Sequence, residues 1–281
     1  EGAFHGRTMG ALALTAKEAY REPFAPLPAG VVHIPFGDVD ALRAAVDKTT
    51  AAVFLEPIQG EAGVRPLPAG YLQAAREATS AAGALLILDE VQTGIGRTGK
   101  WLASEDAGIV PDAVTLAKGL GGGFPIGALV TFGPNVSSLL SAGQHGTTFG
   151  GNPVSCAVGM AVLDCLEQDS LMENAISTGG YVTRGLKSLQ QQYPLIGDVR
   201  DLGMFFAVEL VTDPDTKAPA ALEARMVMNL MRDRAVLISR IGVHDNILKL
   251  RPPMPFQPEH ADLLLSTLDE VLTLVSKGMA S

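Results

Sequence analysis

Short apolar runs alternate with helix-like segments along the first half of the chain. Four runs are bounded by Gly, Pro or Asp, as is typical of buried strands: 51–55, 84–88, 113–117 and 128–132. Between them, residues 70–82 place Leu72, Ala75 and Ala78-Thr79 at three- and four-residue intervals, which predicts a helix with one apolar face. The alternation predicts an α/β layer structure with a largely parallel sheet.

The pattern changes in the second half. A helix is predicted over 152–166, where Asn152-Pro153 supplies a cap and a first turn. Beyond Asp169 the pattern indicates an α+β appendage: a helix to about residue 192, strands over 196–200 and 205–210, and helices over 220–233 and 259–276. We therefore place a large domain at 1–170 and a smaller domain at 171–281, with a surface loop over 213–219.

Composition and charge narrow the class of protein. The 281 residues are 47% hydrophobic and 18% charged, which is typical of a globular chain. Lys and Arg total 21 against 30 for Asp and Glu, and the net charge of −9 argues against binding of nucleic acid or anionic membranes. The longest apolar stretches are less than half the roughly 18–20 residues needed to cross a bilayer. We expect a soluble, cytoplasmic protein.

The cysteines give no sign of a disulfide or a metal site. Cys156 and Cys165 lie nine residues apart in a helix-like run, a spacing typical of neither. We expect both to be core thiols in a reducing compartment, and we expect no metal ion.

The first candidate for chemistry is an acidic pair that ends an apolar strand. Asp89 and Glu90 directly follow Leu85-Leu-Ile-Leu88. In open α/β sheets, ligands bind at the carboxyl ends of strands, so an acid there is placed to meet a cation. Alternatively, Asp89 only caps the turn that follows, and the residues leave both interpretations open.

A glycine-rich loop, Gly94-Ile-Gly96-Arg-Thr-Gly99-Lys100, resembles two phosphate-binding signatures. It fits G-x-G-x-x-G, but it lacks the acidic residue expected at the end of a second strand, about 20 positions downstream. It nearly fits the P-loop, but Trp101 replaces the magnesium-binding hydroxyl and the acidic strand precedes the loop. Dinucleotide and nucleoside triphosphate binding are therefore weak alternatives.

A lysine ends the next apolar strand. Lys118 follows Val114-Thr-Leu-Ala117 and precedes five glycines within residues 119–127. Glycines let the backbone approach a ligand closely. A lysine in a partly dry pocket has a lowered pKa and can act as a nucleophilic amine towards carbonyl compounds. The alternative is an ordinary loop lysine.

Asp89 and Lys118 lie 29 residues apart, at the ends of two strands that we expect to be neighbours. Pyridoxal phosphate requires an acid that stabilises a protonated ring nitrogen and an amine that holds an aldehyde. The pair therefore predicts this cofactor more sharply than either residue alone.

Several motifs together resemble the class III, or ω-amino group, pyridoxal-phosphate aminotransferases. They are Phe4-His-Gly-Arg7-Thr, Glu56-Pro-Ile-Gln-Gly-Glu61-Ala-Gly, Asp89-Glu-Val-Gln92-Thr-Gly-Ile-Gly-Arg-Thr-Gly99, Thr115-Leu-Ala-Lys118-Gly and His145-Gly-Thr147-Thr148-Phe-Gly-Gly-Asn152-Pro, and they span essentially the whole chain. Residues 4–24 and the run through Gly127 are most similar to acetylornithine and ornithine members. The resemblance implies fold-type I, with a large, mostly parallel sheet domain covered by helices on both faces and a smaller C-terminal α+β domain.

The resemblance also implies roles around the cofactor. Lys118 would hold the cofactor as a Schiff base and then move a proton between substrate and cofactor carbons, while Asp89 would keep the pyridine nitrogen protonated. Gln92 would hydrogen-bond the phenolic oxygen. Val91 and Phe4 would contact opposite faces of the ring, although core packing is the alternative for both. The predicted cofactor-binding set is Phe4, His5, Asp89, Glu90, Val91, Gln92, Lys118 and Thr148.

A second set of matches concerns the substrate and a partner subunit. In the family, the threonine matching Thr148 binds the cofactor phosphate of the partner subunit, which implies a homodimer in which Thr147 and Thr148 reach the partner's site. Arg7 matches an arginine that binds the substrate carboxylate. Glu61 matches a glutamate that pairs with a second arginine in ornithine-type enzymes. Lys249 stands at that arginine's position, where it keeps the charge but lacks the planar fork.

The implied activity is amino transfer from N-acetylornithine or ornithine to 2-oxoglutarate in a ping-pong cycle, as in arginine biosynthesis. Lys249 favours the alternative of another class III substrate, such as 4-aminobutyrate, a β-amino acid or an amino alcohol phosphate. The family's phosphate-binding turn would precede Glu1, so we expect this sequence to be a portion of a longer protein. A cofactor-free relative that acts as a binding or scaffold protein is the remaining alternative.

Overall fold

The computed structural model describes residues 1–278 and divides into two compact units. Unit 1 comprises Glu1–Gly60, Pro66–Ile95 and Lys100–Asp169, and unit 2 comprises Glu61–Arg65, Gly96–Gly99 and the described residues from Ser170 onward. Two short segments of the predicted large domain thus group with unit 2. Both are glycine-containing loops, whose grouping no local pattern in the sequence signals.

The strands of unit 1 are β1 (Ala52–Leu55), β2 (Ile58–Gln59), β4 (Leu85–Asp89), β5 (Ala113–Leu116) and β6 (Ala128–Thr131). The short β3 (Arg65–Pro66) follows β2 along the chain. The main sheet has four strands in the order β1–β4–β5–β6. β1, β4 and β5 are parallel, and β6 is antiparallel to β5. The four strands match the predicted apolar runs, except that β4 continues one residue further to Asp89, and the prediction of a largely parallel sheet is confirmed.

Helices flank these strands: α1 (Met9–Leu14), α2 (Glu18–Arg21), α3 (Val39–Ala45), α4 (Tyr71–Ala82), α5 (Pro134–Ser137) and α6 (Pro153–Gln168). Asp38 and Asn152 cap α3 and α6 by accepting the backbone N–H of Ala41 and Ser155. α4 packs its apolar face on the strands, and the shared core is Leu42, Tyr71, Leu72, Ala74, Ala75, Leu86, Leu88 and Val114. The predicted α4 and α6 are confirmed, whereas α1 and α3 were not predicted.

The cysteines are not core thiols, contrary to the expectation above. Cys156 and Cys165 are both exposed, because α6 buries a different face, formed by Ser155, Gly159 and Leu166. Both thiols are free. Across residues 1–278, no group of three or more His, Cys, Asp and Glu side chains is arranged to hold a metal ion.

Unit 2 is an α+β arrangement with an antiparallel sheet. Its elements are α7 (Leu171–Gln192), β7 (Ile196–Leu202), β8 (Phe205–Leu210), α8 (Ala221–Asp233), β9 (Ser239–Ile241), β10 (Ile247–Leu250) and α9 (Pro258–Ser276). The strand order is β7–β8–β10–β9. Its core joins strand residues such as Phe206 and Leu248 to Val182, Val227 and Leu268 on the three helices.

The predicted helices and first two strands of unit 2 are confirmed, while β9 and β10 were not predicted. The predicted loop at 213–219 is exposed except at Ala218, and Asp213 stabilises it by accepting the backbone N–H groups of Asp215 and Thr216. None of the helices in the described part of the chain is long and apolar enough to span a membrane.

Candidate active site

Three residues with useful chemistry follow neighbouring parallel strands of unit 1. Glu56 follows β1, Asp89 ends β4, and Lys118 lies just after β5. In the strand register, Leu55 pairs with Leu88, and Asp89 pairs with Thr115. Because the carboxyl ends of parallel strands meet at one edge of a sheet, these residues share the edge where α/β proteins bind ligands. The carboxyl ends of β4 and β5 are therefore adjacent, as expected.

Asp89 is a buried carboxylate with two well-defined partners. It is 8% exposed, its Oδ2 lies 2.8 Å from His5 Nδ1, and its Oδ1 accepts the backbone N–H of Val91 at 3.0 Å. Burial alone would raise the pKa of Asp89, but the hydrogen bond and the charge of His5, together with hydrogen bonds from Val91 and Thr115, hold that pKa below its ordinary value. Asp89 is therefore ionised at neutral pH.

The segment that carries Phe4 and His5 is anchored by Thr15. The Thr15 hydroxyl oxygen accepts the backbone N–H of His5 at 3.0 Å and lies 3.0 Å from the carbonyl oxygen of Gly6. Gly6 has φ +127°, a conformation that side chains rarely adopt, and it separates the half-buried His5 from the exposed Arg7. The turn thus directs these two side chains differently.

Glu56 is a site residue that the sequence did not single out. Its two carboxylate oxygens accept the backbone N–H of Phe4 at 2.8 Å and of Gly60 at 3.1 Å. Burial raises the pKa of Glu56 to about 7, against the opposing effects of these two donors and of His5. Glu56 stands after β1 as Asp89 stands at the end of β4, so the strand-end rule applied to β1 would have found it. No comparable signal marks Thr15.

The side-chain amide of Gln92 lies close against Gly60. A Cβ built on Gly60 would lie 2.5 Å from Gln92 Nε2, so a side chain at residue 60 would displace the amide. Gln92 is buried and Val91 is half-buried. The turn after β4 therefore brings Asp89, Val91 and Gln92 together, as predicted, and their contacts with a cofactor stay a prediction.

Glu90 makes structural contacts, and the cofactor contact predicted for it stays a prediction. It is 1% exposed, and its carboxylate accepts the backbone N–H of Ala103 at 3.0 Å and of Ser104 at 2.9 Å, as well as the hydroxyl of Thr93. These donors occupy both carboxylate oxygens because the chain returns past the end of β4. In this structure Glu90 holds the loop that follows Asp89.

Lys118 begins a 3-10 turn that ends at Gly121 and has φ +43°, a left-handed conformation that costs energy for a residue with a Cβ. Residue 118 is exposed among the described residues, and the partly dry pocket around it stays a prediction. Unfavourable backbone geometry at a strand end is typical of functional residues.

The glycine-rich loop after Gln92 has structural contacts in place of a phosphate site. The Arg97 guanidinium donates to the carbonyl oxygens of Met204 at 3.2 Å and Pro252 at 2.6 Å, all within unit 2. Burial and the nearby Arg251 lower the pKa of Arg97 to about 10. Lys100 forms an ion pair with Asp106. Neither nucleotide interpretation gains support from these contacts.

The residues predicted to contact substrate and partner lie outside this buried cluster. Arg7 is exposed and lies over the Tyr20 ring. Thr147 and Thr148 are exposed, and within residues 1–278 no described hydrogen bond or ion pair links either of them to Asp89. In unit 2, Lys249 Nζ lies 2.6 Å from Glu61 Oε1, and the Lys249 side chain is 8% exposed. The predicted pairing of residues 61 and 249 is thus present.

Comparisons with known proteins agree with this arrangement. The family model described as Aminotransferase class-III matches residues 1–272. The acetylornithine aminotransferase of Mycolicibacterium smegmatis is 49% identical over 97% of this chain and 66% of that protein. The acetylornithine aminotransferase of Streptomyces coelicolor is 46% identical over 96% of this chain and 64% of that protein. The chain thus spans slightly less than two thirds of the length of these curated relatives.

Solved structures give the same match. An ornithine aminotransferase from Toxoplasma gondii ME49 aligns with a TM-score of 0.89 and 31% identity, over 98% of this chain and 64% of that chain. A Bacillus anthracis aminotransferase aligns with a TM-score of 0.91 and 29% identity, over 97% of this chain and 68% of that chain. The mixed sheet and its flanking helices are therefore those of the fold-type I class, as predicted.

Proposed function

Because the chain belongs to the class-III aminotransferase family, we propose that it forms part of a pyridoxal-phosphate-dependent aminotransferase. The proposed reaction moves an amino group from N-acetylornithine, or ornithine, to 2-oxoglutarate, as arginine biosynthesis requires. Relatives that are 46–49% identical are named acetylornithine aminotransferases. The observation that carries the proposal is the position of Asp89 and Lys118 at the adjacent carboxyl ends of β4 and β5, with His5 bonded to Asp89.

The donor set fits the ring of this cofactor. Asp89 is buried and ionised, which suits a carboxylate that pairs with a protonated pyridine nitrogen. Lys118 supplies an amine at the next strand end, and Gln92 supplies an amide beside Val91. A carboxylate for the ring nitrogen and an amine for the aldehyde are thus both present, which supports the cofactor.

Bound there, pyridoxal phosphate would supply an electron sink for the substrate C–H bond. Asp89 Oδ2 would hold the proton on the ring nitrogen, and His5 Nδ1 would keep that carboxylate in place. Lys118 Nζ would hold the cofactor covalently and, once released, would take and return the substrate proton as base and acid. Phe4 and Val91 would restrict access of water to the two ring faces.

The visible absorption spectrum of the protein incubated with pyridoxal phosphate tests this assignment. We expect a band from lysine-bound cofactor that borohydride removes and that N-acetylornithine shifts to the pyridoxamine form. Lys118→Ala should fold but lack the band and all amino transfer, whereas Lys48→Ala, which changes an exposed lysine of the same unit, should behave as the unmodified protein. Amino transfer by Lys118→Ala would contradict the assignment.

The exposed segment before α6 supports a homodimer. Every residue from 137 to 151 is exposed, including Leu139, Leu140 and Phe149, which is 80% exposed. A cluster of exposed apolar side chains marks a protein contact surface more often than free surface. We infer that this segment meets a second copy, with Thr147 and Thr148 directed to the partner's cofactor and substrate. In sedimentation experiments we expect the unmodified protein to be a dimer and Phe149→Ser to be a monomer. A Phe149→Ser protein that remains a dimer would contradict the inference.

A second candidate function has one specific observation in its favour. Lys249 stands where the resemblance places the arginine of ornithine-type enzymes, and it forms a short ion pair with Glu61. A lysine ammonium is a point charge and lacks the bidentate fork that recognises a carboxylate. Another ω-amine donor, such as 4-aminobutyrate, a β-amino acid or an amino alcohol phosphate, is therefore the alternative. A preference for N-acetylornithine by tenfold or more in kcat/KM, about 1.4 kcal/mol, would exclude it.

A further inference from the structure

Arg7 makes an unusual set of contacts for a cation on the surface. Its guanidinium carbon lies 3.6 Å from the centroid of the Tyr20 ring and 5.8 Å from that of Phe4. Within residues 1–278 no hydrogen bond or ion pair engages its guanidinium. A planar guanidinium on an aromatic face keeps its N–H donors, which lie in its own plane, available to a ligand. The contacts of Arg7 therefore orient it without using its donors.

The Tyr20 ring also contacts the residue predicted to cover the cofactor. The rings of Phe4 and Tyr20 have centroids 6.2 Å apart and an interplanar angle of 86°, the favourable edge-to-face arrangement. One aromatic side chain thus touches both Arg7 and Phe4. The half-buried position of Tyr20 gives its ring a fixed packing environment on one side.

The backbone that carries Tyr20 is tied to the segment that carries Phe4 and Arg7. The backbone N–H of Ala16 donates to the carbonyl oxygen of Ala3 at 2.9 Å, and the buried Thr15 holds residues 5 and 6. α2, which contains Tyr20, begins three residues after Thr15. The short loop of residues 15–17 therefore holds the start of α2 close to the backbone that carries Phe4 and Arg7.

We propose that Tyr20 is a positioning residue that holds the Arg7 guanidinium ready for the carboxylate of an amino acid substrate. This inference rests on the proposed function and adds to it a residue that contacts no substrate atom and acts only through Arg7. The stack restricts a long, flexible side chain before the ligand arrives, so less conformational freedom is lost on binding. The tyrosine hydroxyl accepts and donates no described hydrogen bond, so the ring alone should be sufficient.

Nuclear magnetic resonance of the cofactor-free full chain tests the stack directly. The Arg7 Nε–H resonance, assigned by its loss in Arg7→Lys, should show the upfield shift of a proton over an aromatic ring. Tyr20→Phe should retain that shift, and Tyr20→Leu should abolish it. An Arg7 resonance at the position of unstacked arginines in the unmodified protein would overturn the proposal even if Tyr20→Leu failed to fold.

Titration with glutarate, followed at the same resonance, tests the consequence for carboxylate binding. We expect Tyr20→Leu to weaken glutarate binding by about two- to thirtyfold, the range of one cation–π contact, and Tyr20→Phe to bind as the unmodified protein does. Lys17→Met is the matched control, since Lys17 Nζ lies 5.0 Å from the same ring centroid and should contribute little. Equal affinities for the unmodified protein and Tyr20→Leu would overturn the proposal.

Steady-state kinetics then separate this proposal from the proposed function. With cofactor bound, Tyr20→Leu should raise KM for N-acetylornithine by the same factor and leave kcat nearly unchanged, because Tyr20 acts before the chemical steps. Absence of amino transfer by the unmodified protein would contradict the proposed function, while the glutarate titration still decides the role of Tyr20. A fall in kcat at constant KM would overturn the positioning role.

Discussion

At the scale of single residues, Asp89 is compatible with both interpretations of the sequence, as the cap of the following turn and as a charge at the end of β4. Its Oδ1 accepts the Val91 N–H and caps the following turn, while its Oδ2 bonds to His5. The two oxygens of a carboxylate allow both roles at once. The hydrogen bond from Val91 fixes the orientation of the Asp89 carboxylate and therefore the position of Oδ2.

The charge of Asp89 can be removed with little change of shape. We expect Asp89→Asn to fold and to retain the turn, because the amide oxygen can still accept the Val91 N–H. Amino transfer should slow by about 10²–10³-fold, as when a preorganised electrostatic partner of the reacting group is lost. Asp106→Asn, at an exposed carboxylate of the same unit, is the control. Near-normal single-turnover rates for Asp89→Asn would contradict the assignment.

Glu56 gives the protein a distinctive pH dependence of stability. Its pKa is raised from 4.5 to about 7, so the folded state binds a proton more tightly than the unfolded state. The stabilising contribution of that proton is fully present below pH 4.5 and is lost as the pH rises through about 7. The difference amounts to about 3 kcal/mol, since one pKa unit corresponds to about 1.4 kcal/mol.

Urea denaturation between pH 4.5 and 8 measures this contribution of Glu56. We expect the free energy of unfolding of Glu56→Gln to lack the part of the decline that the titration of this carboxyl produces in the unmodified protein. The difference between the two curves cancels the other titrating groups. Parallel curves over the whole range would show that Glu56 titrates normally.

At the scale of elements, the sequence predicted the strands and helices whose own residues show a clear local pattern. The runs that became β1, β4, β5 and β6 are apolar and bounded by turn residues, and α4 and α6 have helical spacing or a clear cap. β10 was missed because a lysine interrupts its four residues, all of which are buried. Lys249 is tolerated there because Glu61, 188 residues earlier, pairs with it. No local pattern reports such a distant partner.

The same distinction applies to the candidate site. The proximity of Asp89 and Lys118 could be predicted because both stand at the ends of parallel strands. The carboxyl ends of parallel strands lie at one edge of the sheet, whatever the loops between them. The contact of His5 with Asp89 spans 84 residues and was not predicted from spacing, although resemblance placed both residues near the cofactor. A pocket around Lys118 stays a prediction, because no local pattern in a glycine-rich segment reports which distant side chains would cover it.

The turn between β2 and β3 offers a test at this scale. Gly60→Ala places a Cβ where Gln92 Nε2 lies, at a separation that real Cβ atoms essentially never show. We expect Gln92 to move and the Gly60 N–H to shift from Glu56, with a loss of about 1–3 kcal/mol in unfolding free energy. Gly83→Ala, at the end of α4, has open space around its Cβ and serves as the spatial control, although its φ of +76° adds backbone strain. An unchanged cofactor spectrum in Gly60→Ala would contradict the proposed place of Gln92.

At the scale of the whole molecule, the pair formed by Lys249 and Glu61 bears on the proposed choice of substrate. Lys249 and Glu61 form a short ion pair in unit 2, and the lysine is almost completely buried. Truncating one partner would leave an uncompensated charge, so the informative change retains the charge. Lys249→Arg does so and restores the planar fork that binds a carboxylate through two parallel hydrogen bonds.

Lys249→Arg should therefore shift the acceptor preference towards dicarboxylates. We expect the ratio of kcat/KM for 2-oxoglutarate to that for pyruvate to rise by about fivefold, equivalent to about 1 kcal/mol, the scale of one additional hydrogen bond. Using a ratio cancels any loss of active protein caused by the larger side chain. Lys187→Arg makes the same change at an exposed site of α7 and should leave the ratio unaltered. If the ratio were also unaltered in Lys249→Arg, residue 249 would not contact the acceptor. The choice of amine donor would then have to depend on other residues.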